Sequence, residues 1–180
     1  MDTEPTKPPA EWIGPTDIQP WRDVSTGKTY SSNEPVRAIV GLEADCRPES
    51  DDYWRMGYQY PIQLTQWSFA WAPGHPVLQI FMDRLLVMMK VVSDAHDGQL
   101  NTATAQADLY SIDTLNLTGP AAFTDSVQSW LADKHGLRWN ALTGLDDGGL
   151  SKLVGDVLVL PITGFRYVLS FVAASIFISF

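Results

Sequence analysis

Apolar and polar positions change rhythm several times along the chain, and each change predicts an element. Met1 to Asn33 mixes Pro, Gly, Thr and Ser with isolated Trp12 and Trp21, which predicts extended loop with little regular structure. The first sustained apolar run, Val36 to Leu42, predicts a short buried strand. Glu43 to Tyr60 then turns polar and aromatic, as expected of a loop at that strand's carboxyl end, where α/β folds collect ligands. Between Gln63 and Ala72, residues Leu64, Trp67, Ser68 and Trp71 recur at helical spacing, so a helix is predicted there, with Pro73-Gly74 as its stop. A second helix is predicted over Pro76 to Ser93, where Val77, Leu78, Phe81, Leu85, Met88, Met89 and Val92 make a wide apolar face and the methionines fill core space.

Asp94 to Leu117 is polar and predicts a variable loop holding one short helix. Thr118-Gly119-Pro120 opens a third helix that runs to His135, with Pro120 in its first turn, Gly136 just past its end, and Phe123, Val127, Trp130 and Leu131 facing inward. Asp146 to Gly149 predicts a tight turn, and Asp156 to Leu160 a second strand limited by Pro161. The resulting order is strand, loop, helices, strand. This is an α/β class without complete βαβ units, and two strands are too few for an independent sheet-based domain. The chain is therefore expected to be part of a larger unit.

Composition narrows the function classes. The 180 residues are 45% hydrophobic, enough for one domain with a real core. A net charge of −9 argues against nucleic acid and anionic membrane surfaces as partners, since both need basic patches. Cys46 is the only cysteine, so neither a disulfide within the chain nor a cysteine-based metal site is available. No signal-peptide pattern occurs in Met1 to Pro15, and the apolar run Tyr167 to Phe180 is shorter than the ~20 residues of a membrane-spanning helix. Val40 to Pro76 concentrates acids, amides and six indole or phenol rings, a mixture suited to a pocket for a charged, polyhydroxylated ligand.

Within that stretch, Glu43 and Asp45 point to one side of an extended segment and are able to bind sugar hydroxyls, orient a reacting group or help hold a divalent cation. Spacing alone favours a solvated strand end. Gln66-Trp67 and Gly74-His75-Pro76 are weak signals singly, and a lone histidine before a helix is more often a cap than a catalyst. In order, however, VGLEAD, YPIQLTQW, APGHPVL, TGPAAFTDSV and GLRWNALTGL…SKLVGDVLVLPITGF resemble the carboxyl-terminal half of glycosyltransferase family 32, in particular its branch of fungal initiation-specific α-1,6-mannosyltransferases. The resemblance covers nearly all of Met1 to Phe165.

The resemblance implies a partial GT-A-like domain over residues 1–165, the acceptor-side half, with the apolar tail 166–180 outside the family fold. It implies retaining transfer of mannose from GDP-mannose to an N-linked glycan. The location it implies is the Golgi lumen or membrane, reached through an amino-terminal anchor that this chain lacks. Such proteins hold Mn²⁺ with an Asp-X-Asp motif followed by a segment like Thr3 to Pro9, so Met1-Asp2 matches the motif's last two positions and Asp2 is the surviving metal ligand. Glu43, Asp45 and Gln66 are carried over as catalytic-site residues, with Asp45 and Gln66 preferred for contact with the transferred sugar. Trp67, His75, Gly119 and Pro120 are carried over as substrate-binding residues, although His75 and Gly119-Pro120 also have sufficient structural explanations.

With the metal motif and nucleotide-binding half missing, the chain alone is expected to be inactive. One alternative is a non-catalytic sugar-binding remnant in which Trp54, Tyr58, Tyr60, Trp67 and Trp71 stack on sugar faces. Another is mannose transfer to inositol-phosphoceramide. Asn116-Leu117-Thr118 fits a glycosylation sequon but is a common triplet. Arg166-Tyr167-Val168 can be encoded across a fungal splice donor, so the tail is expected to be intron read-through and Met1 an internal start. Comparing transcript with genome is expected to show an in-frame Asp codon just before Met1 and an alternative exon after Phe165; a spliced message encoding the same tail defeats this reading.

Overall fold

The computed structural model describes residues 12–164. A small antiparallel hairpin comes first, β1 (Trp21–Arg22) and β2 (Thr29–Tyr30), with Trp21 stacked on Tyr30 at 4.6 Å between ring centroids. Strand β3 (Ala38–Asp45) follows, then the single turn α1 (Asp52–Arg55), strand β4 (Ile62–Trp71) and the long helix α2 (Pro76–Ala95). Two short helices, α3 (Ala103–Ser111) and α4 (Thr114–Leu117), lead to α5 (Pro120–His135). Strands β5 (Lys152–Val154) and β6 (Val157–Leu160) close the described chain.

The four longer strands form a mixed sheet in the order β4-β3-β6-β5. Strand β3 runs parallel to β6 and antiparallel to β4, and β5 is antiparallel to β6. Alternation along the strands divides the core. Ala38, Val40, Leu42, Val157 and Val159 face Val77 of α2 and Phe123, Val127 and Leu131 of α5. Ile39, Leu153, Leu158 and Leu160 face the opposite way, against Trp12, Ile13 and Val36. Having both faces covered explains why β3 and β6 read as unbroken apolar runs instead of alternating ones.

The two main helices begin and end where their local chemistry says. Pro76 and Pro120 each occupy the first turn, His75 accepts the Val77 N–H as the N-cap of α2, and Gly136 ends α5 in the left-handed region at φ 60°. Other expectations change. The segment predicted as a helix, Gln63 to Ala72, is the strand β4. Its apparent helical spacing arises because a bulge within the strand shifts the alternation between its two halves. The sheet has four strands and not two, since β5 is only three residues long and β4 was assigned to helix. Strand β3 continues through Glu43 to Asp45, so the expected loop starts later. The first segment, expected as plain loop, contains the β1–β2 hairpin. Among the described residues, no helix is long and apolar enough to cross a membrane.

Asp23 ties the hairpin to the body. It is 2% exposed and accepts hydrogen bonds from Arg138 Nη2 (2.9 Å) and Nε (3.2 Å), Thr26 Oγ1 (2.8 Å) and the Ser25 N–H (3.0 Å). The Arg138 guanidinium holds this carboxyl well below the usual aspartate range, against the opposing effect of burial. A carboxylate with a depressed folded value contributes stability above its unfolded value, and that contribution is lost as pH falls through the folded value. The protein should therefore lose stability progressively below about pH 4, the ordinary aspartate range. Asp23→Asn should cost roughly 1.5–3 kcal/mol at neutral pH and flatten the acid limb, both measured by urea denaturation across pH.

Candidate functional site

Strands β3 and β4 do not pair evenly. Val40 pairs with Phe69 and Leu42 with Leu64, so the four residues Thr65 to Ser68 stand opposite Gly41 alone. One step on, Leu42 and Ala44 pair with the adjacent Leu64 and Gln63, which makes Glu43 an extra residue on β3. The pair thus carries two bulges on opposite strands, a device that re-aims side chains beside binding sites.

The bulges are joined through one carboxylate. Glu43 Oε2 accepts from Gln63 Nε2 at 3.0 Å, and Glu43 Oε1 accepts from Trp67 Nε1 at 3.2 Å. Gln63 is itself fixed, because its Oε1 accepts the Gln59 N–H at 3.0 Å. Thr65 Oγ1 closes the larger bulge onto the Ser68 carbonyl at 2.8 Å. Gln66 Nε2 donates to the Thr118 carbonyl at 2.6 Å, just before α5, and the Leu64 N–H donates to Thr124 Oγ1 at 2.9 Å. Trp67 is 56% exposed, and its indole nitrogen is held by the Glu43 carboxylate.

Asp45, two residues beyond Glu43, organises a different loop. Its Oδ1 accepts from Thr143 Oγ1 at 2.7 Å and its Oδ2 accepts the Gly144 N–H at 2.8 Å. The loop is pinned again at its far side. The buried ammonium of Lys152 meets Asp147 Oδ2 at 2.6 Å and lies 5.5 Å from the Trp21 ring centroid. Tyr60 stands edge-on to Trp139 at 5.8 Å, and burial, followed by its hydrogen bond with Asp125, pushes its phenol up. Burial, then the charges of Asp45 and Asp52, push the Cys46 thiol up, so the single cysteine is a poor nucleophile.

The tertiary structure gathers Glu43, Asp45, Gln66 and Trp67 near the carboxyl end of β3 and the bulge beside it, and Gly119-Pro120 joins them through the Thr118 carbonyl. Gly119 is required by close approach, since a Cβ there would lie 2.6 Å from Leu115 Cα. His75 is elsewhere. It follows Trp71, which pairs with Ala38 at the other end of β3, about 20 Å from Asp45 at ~3.3 Å per residue. It is buried between Trp71 and Trp130, with Nε2 3.4 Å from Asp156 Oδ1. Asp2 lies outside the described residues.

The chain is 34% identical over 132 residues to the initiation-specific alpha-1,6-mannosyltransferase of Schizosaccharomyces pombe, an overlap of 72% of this chain and 29% of that protein. It is 28% identical over 179 residues to the protein of the same name in Candida albicans, covering 92% of this chain and 41% of the relative. A putative glycosyltransferase of Saccharomyces cerevisiae is 27% identical over 167 residues, covering 89% and 36%. The chain belongs to glycosyltransferase family 32. It spans between 29% and 41% of the length of these family members. No family profile matches the chain, and no solved structure matches it.

Several residues of this candidate site escaped the sequence reading. Gln63 opens the predicted helix, and from a helical position its contact with Glu43 is unforeseeable. Thr143 and Gly144 lie in the block GLRWNALTGL, which carries the family likeness, yet nothing local in that block points to Asp45. A Cβ on Gly144 would sit 2.8 Å from Gly149 Cα and 3.3 Å from Asp45 Oδ2. Gly144→Ala should therefore cost about 1–3 kcal/mol. It should also speed amide hydrogen exchange at positions 144 and 149, measured by NMR, while β6 amides keep their protection.

Proposed function

We propose that this chain forms the acceptor-side part of a GT-A-type mannosyltransferase, which moves mannose from GDP-mannose to an N-linked glycan in α-1,6 linkage with retention, in the fungal Golgi. The observation that carries the reading is the Glu43 carboxylate bridging Gln63 and Trp67 across two bulges, next to Asp45, in a chain of this family. A carboxylate has about four lone-pair sites, so each of these two acids keeps about two after its internal bonds. Those sites suit sugar hydroxyls, whose orientation the internal bonds would preset. Trp67 stands beside these acids through its bond to Glu43, and Gln66 holds the bulge against the α5 entrance.

Family likeness also points to Mn²⁺, with Asp2 as its ligand. The described residues contain no group of three or more His, Cys, Asp or Glu placed to hold a metal, and Glu43 and Asp45 are both engaged by donors from the chain. The reading therefore gives Glu43 and Asp45 to substrate orientation and assigns no step to a metal.

A fusion of this chain to the amino-terminal portion of the Schizosaccharomyces pombe relative tests the reading. The folded fusion should transfer mannose from GDP-mannose to a high-mannose glycan, and Asp45→Asn or Glu43→Gln should lower the rate at least ~10²-fold. A folded fusion without transfer, or full activity in both variants, would sink it.

A further inference from the structure

A polar pocket lies at the end of the sheet away from Asp45. Its volume is about 380 Å³, within the ~300–1,000 Å³ range of small-molecule sites. Three elements build it: the segment Ser31 to Glu34 leaving β2, His135 at the end of α5, and Gly155 in the β5–β6 turn. Gly155 lies two residues before Val157, which pairs with Ala38, so the pocket sits at the amino end of β3, away from Asp45.

The walls are fastened to one another. Lys28 Nζ donates to the carbonyls of His135 (2.7 Å) and Gly136 (3.1 Å), and Tyr30 Oη donates to the Gly136 carbonyl (3.1 Å). Gly155 has φ 58°, and a Cβ there would fall 2.2 Å from His135 Nε2, so only glycine lets the imidazole rest against that turn. Ser32 Oγ accepts the Glu34 N–H at 3.0 Å and shapes the rim. By contrast, the side chains of Asn33, Glu34 and His135 make no hydrogen bond or ion pair among the described residues. The backbone walls are fixed, and these polar groups keep their hydrogen-bonding capacity for a ligand.

The lining selects the ligand's chemistry. The Asn33 amide, the Glu34 carboxylate, the serine hydroxyls and the imidazole are donors and acceptors matched to hydroxyl groups. An anion is disfavoured by Glu34, by the chain's net charge of −9, and because the nearby ammonium of Lys28 is engaged by two carbonyls. An apolar ligand would leave these polar groups unpaired. We propose that this pocket is a second sugar site, binding a neutral hexose unit of a glycan remote from the Glu43–Asp45 site. The site rests on pocket chemistry alone; only the choice of mannosides as probes rests on the transferase reading.

NMR titration of the full chain with methyl α-mannoside and α-1,6-mannobiose tests it. The amides of Ser31, Ser32, Asn33 and Gly155 should shift and saturate in the millimolar range. The double variant Asn33→Ala/Glu34→Ala, at two exposed positions where folding is not at stake, should weaken binding at least about tenfold. Glu43→Gln should leave it unchanged. Absence of shifts at these amides, an undiminished response in the double variant, or shifts confined to Glu43 and Trp67 would each overturn the second site. Loss of transfer in the fusion protein would leave this result standing.

Discussion

The uneven pairing of β3 with β4 is the constraint on which the candidate site depends. A regular antiparallel pair would leave successive side chains alternating between the core and the other face. Here one extra residue on β3 and a loop of residues on β4 break that alternation at adjacent positions. The bulged segments are tied down by one backbone bond and three side-chain bonds. Thr124 takes the Leu64 N–H, Thr118 takes Gln66, and Glu43 takes both Gln63 and Trp67. The three side-chain bonds fix Gln66, Gln63 and Trp67, so holding the bulges in place also shapes the site.

The loop around Asp45 follows the same economy of contacts. Asp45 holds Thr143 and Gly144 from the sheet side, and the buried Lys152–Asp147 pair holds the loop's far end. A buried ion pair gives little net stability, because desolvation offsets attraction, but removing one partner is costly, about 3–5 kcal/mol. Such a pair therefore enforces one geometry more than it adds stability. The tight contact between Gly144 and Gly149 serves the same end by bringing the loop's two arms together.

Helices α2 and α5 supply the floor beneath this. Their buried faces meet Val40, Leu42 and Leu64 on one side of the sheet, and Phe123 packs against Phe69 at 5.5 Å and Trp71 at 6.0 Å. His75 belongs to this floor, as a buried cap facing Asp156. The half-buried carboxylates Glu43 and Asp45 and the exposed Trp67 gather by the bulges, while the buried His75 and Asp156 at the opposite end hold the scaffold together.

Much of the fold was legible from local chemistry. Pro76, Pro120 and Gly136 mark the limits of α2 and α5 within a residue or two, because capping and proline geometry act within one helical turn. The apolar runs of β3 and β6 were equally plain, since strands buried on both faces need no alternation. Ordered blocks such as VGLEAD and YPIQLTQW carried the family. Tertiary structure alone decided that Gln63 to Ala72 is a strand, because a bulge is defined by the partner it skips and not by its own residues. It alone placed Thr143 on Asp45, 98 positions away, and Trp67 on Glu43, 24 positions away. Signals confined to one turn of chain determined where elements start and stop; which carboxylate meets which donor was settled by packing across the sheet.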